Sequence, residues 1–209
     1  IAAINNTSSM MEFVATQMMS GDYSIIAGYI YPDQKNSSMN IAHFAQTGLG
    51  LPDRDYYFKT DASVKSIQDA YKTYLTTLFD LVGEANSEEK AAIVYKIEKQ
   101  LAAAHKTRVE RRIIKENYNK LAVADLNKRH PKIGWAKMFQ MGMETDSVDV
   151  AQTAYYDKLN AMLASVPLND WKIYLKANSI GSHDGILGKP FQDAAFEYTK
   201  VISGQSVQQ

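Results

Sequence analysis

The sequence predicts a mainly helical fold, a multi-helix domain with one short two-stranded β-ribbon near its N-terminus. Three observations carry that prediction. Apolar residues recur at three- and four-residue spacing along most of the chain. One pair of Ile-, Tyr- and Phe-rich runs brackets a turn-forming cluster. Glycines and prolines fall between the periodic stretches, where they punctuate them.

Taken in order, the run from Ser8 to Met19 places helix formers behind a Ser cap and stops at Gly21. Residues 24–31 and 39–46 flank Pro32-Asp33-Gln34-Lys35-Asn36-Ser37 and give the ribbon, which is expected to be the only β structure. Val64, Ile67, Tyr71, Tyr74, Leu75, Leu78 and Val82 mark an amphipathic helix that Gly83 terminates. Ser87, Glu88 and Glu89 open the next, whose face Val94, Ile97, Leu101 and Ala104 extends to about Arg112 and makes a helical hairpin with the one before. On that extension Arg108, Arg112 and Lys115 share a helical face. Shorter helices are expected over Leu121–Arg129, Trp135–Met141 and Tyr155–Val166, another behind Asn169 or Asp170 through Leu175, and a last one from Pro190 to Tyr198. With no fixed repeat and no long linker, residues 1–209 read as a single domain.

The most specific stretch is Gly48-Leu49-Gly50-Leu51-Pro52-Asp53-Arg54-Asp55-Tyr56-Tyr57. Two glycines allow positive φ or close backbone approach, and Pro52 drives Leu51 toward an extended conformation. Pro52 then suits a first helical turn, with Asp53 and Asp55 at the positive end of the helix dipole. A dinucleotide-binding Gly-x-Gly-x-x-Gly would need glycine where Asp53 stands. A calcium loop starting there would need glycine at Phe58 and glutamate at Val64. Capping and an ion pair with Arg54 account for the two aspartates more simply than acid/base catalysis does.

Composition narrows the partners. Lys plus Arg equals Asp plus Glu at 23 each, so no global field favours nucleic acid, and Glu110 and Glu116 interrupt the basic run near Arg111. No window of eighteen residues is apolar enough to span a bilayer. The chain begins at Ile1, which reads as a processed or excised segment. The absence of cysteine removes disulfides and thiolate metal sites. Tyrosine, phenylalanine and tryptophan number 13, 7 and 2, enough to line a peptide-holding concavity, although ordinary core packing explains most of these rings.

No catalytic constellation is encoded. The four histidines, His43 in a strand, His105 in a helix, His130 before Pro131 and His183 in a glycine-bounded loop, lie outside any His-Glu-x-x-His, the spacing that puts two zinc ligands on one helical face. Ser182-His183-Asp184 spells a triad, but three consecutive side chains diverge where a triad must converge. Sequons at Asn5, Asn6 and Asn36 decide nothing.

The Gly48–Tyr57 signature resembles one in neprilysin-like zinc peptidases, and further segments match in the same order. They are Asp33–Ser37, Glu98-Lys99-Gln100-Leu101-Ala102, Tyr118-Asn119-Lys120-Leu121, Ile133-Gly134-Trp135, Asp170–Leu175, Leu187–Phe191 and Ile202-Ser203-Gly204. The chain thus resembles the N-terminal helical region of the neprilysin and endothelin-converting-enzyme (PepO-like) family of zinc metallopeptidases. One departure is Ile113, which follows Arg112 where the family commonly has an acid.

The resemblance implies a helical lid facing a separate catalytic domain of the same parent chain, which carries the zinc. Peptide substrates would enter the cavity between them, in an extracytoplasmic (periplasmic, cell-envelope or secreted) setting. It carries no catalytic, cofactor or metal residue onto this segment. Gly48, Gly50, Leu51, Pro52, Asp53, Arg54, Tyr56, Tyr57, Tyr118 and Asn119 are expected to serve structure or an interdomain contact. The alternative is a stand-alone helical protein that binds peptides or other ligands without cutting them.

Overall fold

The computed structural model describes residues 1–140 and 145–205. Its elements run α1 (Thr7–Met19), β1 (Ala27–Asp33), β2 (Asn36–Ala45), α2 (Ala62–Leu81), α3 (Ser87–Ala102), β3 (Lys120–Ala122), α4 (Val123–Arg129), α5 (Trp135–Gln140), β4 (Ser147–Val150), α6 (Thr153–Ser165), α7 (Leu168–Gly181) and α8 (Lys189–Ser203). Short 3-10 turns occupy Arg54–Tyr57, Glu110–Arg112 and Ile114–Glu116. The chain is mainly α with a small β element. It divides into two compact units, Ile1–Gly48 with Ala104–Leu168, and Leu49–Ala103 with the chain from Asn169 onward.

The first unit is built on the ribbon. β1 and β2 pair antiparallel from Ala27↔Ala45 to Asp33↔Asn36, with an irregularity between Pro32 and Asp33. Pro32 is tolerated because β1 is an edge strand. Asp33 Oδ1 accepts from the Lys35 amide at 2.8 Å, an aspartate turn that leaves only Gln34 and Lys35 between the strands. The ribbon is not the only β structure, as the sequence suggested. β2 also pairs parallel with β4, and β4 antiparallel with β3, giving the order β1-β2-β4-β3. Three- and four-residue strands are too short to show an alternating pattern, so pairing rather than local propensity creates them.

Beneath this sheet Phe44 packs edge-on against Trp135 and Phe139, with ring centroids 5.1 and 5.7 Å apart. Gly28 makes room for it, since a Cβ there would lie 2.8 Å from Phe44 Cε1. From α6, the Tyr155 and Tyr156 hydroxyls donate to the Ile25 and Ala45 carbonyls at 2.8 and 2.9 Å. Both rings are fully buried, so these bonds satisfy groups that would otherwise be costly to desolvate. α1 contributes Met10, Met11, Val14 and Met18. Its cap is Asn6, not Ser8: Asn6 accepts from the Ser9 amide at 2.9 Å while Ser9 Oγ accepts from the Asn6 amide at 3.2 Å. The expected helix at Trp135 runs to Gln140, and Met141 lies outside the described residues.

In the second unit α2 packs against both α3 and α8. α2 buries Val64, Tyr71, Leu75, Leu78 and Phe79, α3 buries Val94, Ile97 and Leu101, and α7 adds Trp171, Tyr174 and Leu175. Each such aliphatic side chain contributes about 1.5–3 kcal/mol on burial. α3 stops at Ala102, ten residues short of the expected Arg112. Two alanines and a histidine follow without any local breaker, but the Ala102 carbonyl accepts from Arg54 Nε at 3.4 Å, a tertiary cap that sequence periodicity cannot reveal. His105 therefore lies beyond the helix, and Arg108, Arg112 and Lys115 share no helical face.

Candidate functional site

The signature turn is held from three sides within the second unit. Gly50 lies so close to α2 that an added Cβ would sit 1.9 Å from Tyr71 Oη, which explains the glycine without any ligand. Its carbonyl accepts from Tyr198 Oη at 2.9 Å. The Leu51 amide donates to Tyr57 Oη at 3.1 Å, and Tyr57 Oη in turn donates to Glu98 Oε2 at 2.9 Å. Tyr71 Oη donates to the other carboxyl oxygen at 2.7 Å.

The rest of the signature completes the turn. Pro52 precedes Asp53, which caps the 3-10 turn by accepting from the Asp55 amide at 2.9 Å. The expected helix entry is thus a 3-10 turn, and α2 begins later behind its own cap, Asp61. Arg54 caps α3 and rests over the Phe58 ring at 5.8 Å. Asp55 pairs with Lys59 at 3.8 Å. The Tyr56 carbonyl accepts from Gln68 Nε2 at 2.7 Å. Gly48, with φ +87°, ends the first segment of the other unit.

Glu98 is the residue that sequence reasoning passed over as part of a helix match. It is 4% exposed, and burial pushes its carboxyl up to about 8, against the lowering effect of the Tyr71 and Tyr57 hydroxyls and the Gly50 amide. Burial likewise raises Tyr57 and Tyr71 well above the usual phenol range, with Glu98 adding to it. A signal was present: Glu98 stands four residues after Val94 and three before Leu101, on the apolar stripe of α3.

Tyr118 and Asn119 anchor the first unit. Tyr118 Oη donates to Asp33 Oδ1 at 2.8 Å, Lys120 Nζ to Asp33 Oδ2 at 2.9 Å, and Lys35 Nζ lies 4.7 Å over the Tyr118 ring. The Lys120 ammonium holds the Asp33 carboxyl well below the usual range, helped by the Lys35 amide and the Tyr118 hydroxyl. The Asn119 amide donates to Asp149 Oδ1 at 2.6 Å and its side chain to the Val150 carbonyl at 3.0 Å. Asp149 Oδ2 also meets His43 Nδ1 at 3.0 Å, under the stacked ring of Tyr29.

The other histidines are similarly engaged. His105 Nε2 meets the Thr47 carbonyl at 3.1 Å, His130 Nε2 meets Asp157 Oδ1 at 2.8 Å, and His183 Nδ1 meets the Ser179 carbonyl at 2.9 Å. Ser182 donates to the Asn178 carbonyl and Asp184 accepts from Tyr74, so the triad letters take separate partners. Among the described residues no group of three His, Cys, Asp or Glu side chains is placed to hold a metal.

The geometry defines a helical scaffold braced by buried carboxylates. The model described as peptidase family M13, in its N-terminal form, matches residues 1–209, and the chain belongs to that family. It is 28% identical over 182 residues to endothelin-converting enzyme-like 1 of Rattus norvegicus, covering 82% of this chain and 23% of that protein. Against endothelin-converting enzyme 1 of Cavia porcellus it is 27% identical over 188 residues, covering 84% and 24%. The chain therefore spans about a quarter of the length of these curated relatives. The open-state zinc metalloprotease ZMP1 of Mycobacterium tuberculosis shares the fold at a TM-score of 0.92 and 24% identity, over 100% of this chain and 33% of that one.

Proposed function

We propose that this chain is the substrate-restricting, lid-type part of a zinc metalloendopeptidase that hydrolyses peptides. The observation that carries the reading is a family match along all of residues 1–209 in a chain that lacks His-Glu-x-x-His. Zinc and the water-activating glutamate then belong to a catalytic domain elsewhere in the parent, and that domain and its peptide substrates are the partners. A helical wall over the zinc admits flexible peptides, excludes folded proteins by size and keeps bulk water from the reacting carbonyl. The signature residues Gly50–Tyr57 and the Tyr118–Asn119 pair brace that wall, and residues 1–209 work as one lid. An extracytoplasmic setting accompanies this reading. Among the described residues no helix is long and apolar enough to cross a membrane.

Two measurements test the proposal. The purified chain, supplied with zinc and a fluorogenic peptide, should show no turnover, and sustained zinc-dependent hydrolysis would overturn the lid assignment. The full reading frame should carry His-Glu-x-x-His downstream of Gln209, and a stop codon there would overturn it equally.

A further inference from the structure

The buried acid of α3 is chemically out of place. Glu98 sits in the second unit on the apolar stripe of α3, 4% exposed, with three hydrogen-bonding groups from the signature turn and α2 gathered around it. Tyr57 reaches it from the signature turn at 2.9 Å, Tyr71 from α2 at 2.7 Å, and the Gly50 amide from the start of the turn. Tyr198 of α8 and Tyr95 of α3 complete the titratable groups that sense its charge. Of the neighbouring cations, Lys72 lies 4.8 Å over the Tyr95 ring and 3.7 Å from Asp69, and Lys99 and Arg54 lie 5.7 and 5.8 Å over the Phe58 ring, with Arg54 also donating to the Ala102 carbonyl. No lysine or arginine is among the groups that shift the Glu98 carboxyl. A carboxylate there has donors but no counter-charge.

We propose that Glu98 is a proton-operated latch on the signature turn. As the acid, it ties the turn to α2 and α3 through Tyr57, Tyr71 and Gly50. The acid O–H then donates to the Tyr71 hydroxyl, which stops donating in return, while Tyr57 Oη, already accepting from the Leu51 amide, goes on donating to the other carboxyl oxygen. As the carboxylate, it must be solvated, and water reaches it most cheaply by displacing the turn. α2 and α3 hold each other through a wide apolar contact, whereas the turn is one short 3-10 segment followed by the exposed Phe58 and Lys59. The sign follows from linkage: a carboxyl raised from 4.5 to about 8 binds a proton in the folded state that the unfolded chain has released, so the stability it confers is lost as pH rises across that window.

Amide exchange of the chain as a function of pH, corrected for intrinsic base catalysis, tests it. Protection at the Leu51 and Tyr57 amides should fall about tenfold between pH 7 and 9, while the interior of α2 at Leu75 stays protected. In Glu98→Gln, a neutral isostere, the fall should vanish. PH-independent protection in the unmodified chain, or the same fall in Glu98→Gln, overturns the proposal. Should that variant not fold, infrared spectroscopy of the unmodified chain labelled with 13C-glutamate replaces it. One carboxylic-acid C=O band should persist at pH 7 and titrate near the raised value, and glutamates all ionised at pH 7 overturn the latch.

Discussion

Tyr118 Oη donates to Asp33 Oδ1 at 2.8 Å across 85 residues of sequence, joining two segments that each stood alone as a short motif. Asp33 lies at the ribbon turn and Tyr118 just before β3, the far edge of the same sheet. The carboxylate thus collects the turn amide of Lys35, the Lys120 ammonium and the Tyr118 hydroxyl in one place.

Asp33→Asn keeps the shape and removes the charge. It should speed exchange of the Lys35 amide and of the paired ribbon amides, and Tyr118→Phe should do so less, because it removes one of three donors. Acid behaves alike: a depressed carboxyl contributes stability above its unfolded value that is lost as pH falls through its folded one. Native-state exchange at decreasing pH should therefore show the ribbon turn loosening in the unmodified chain but not in Asp33→Asn.

Asp149 makes a comparable junction inside the sheet. It is 1% exposed and accepts from the Asn119 amide and His43 Nδ1. Asp149→Ala strands both donors in the interior and should cost about 3 kcal/mol in urea unfolding. His43→Ala in that background should then cost less than it does alone, since a double-mutant cycle removes the shared bond only once.

Helix content and the ribbon were legible because both are written in local periodicity. What escaped the sequence depends on distant partners. β4 exists because β2 and β3 pair with it, α3 ends where Arg54 caps Ala102, and a histidine at position 105 gives no warning that the helix has already stopped. The signature glycines and Pro52 announced a tight turn, yet the group that holds it, Glu98, looked like one more charge on a helix until Tyr57 and Tyr71 were found around it.

Gly50→Ala probes the same turn sterically. Its Cβ would lie 1.9 Å from Tyr71 Oη and 2.3 Å from Cζ, so the ring itself is in the way. The substitution should lower stability by about 3 kcal/mol, seen as a fall in melting temperature. Tyr71→Phe should not rescue it, because Cζ remains. Gly181→Ala, whose Cβ would meet Tyr74 Oη at 3.3 Å, should be far milder.

Zinc should leave the chain indifferent. A metal that binds only the folded state raises the unfolding temperature, with the logarithm of one plus its concentration over its dissociation constant. Neutral imidazole ligands would have to come from four histidines that are each engaged with a carboxylate or a backbone carbonyl of their own. Melting curves in chelator and in micromolar zinc should therefore coincide. A rise of several degrees with zinc, abolished by replacing any one histidine, would reveal a donor set within this segment and move the metal chemistry into it.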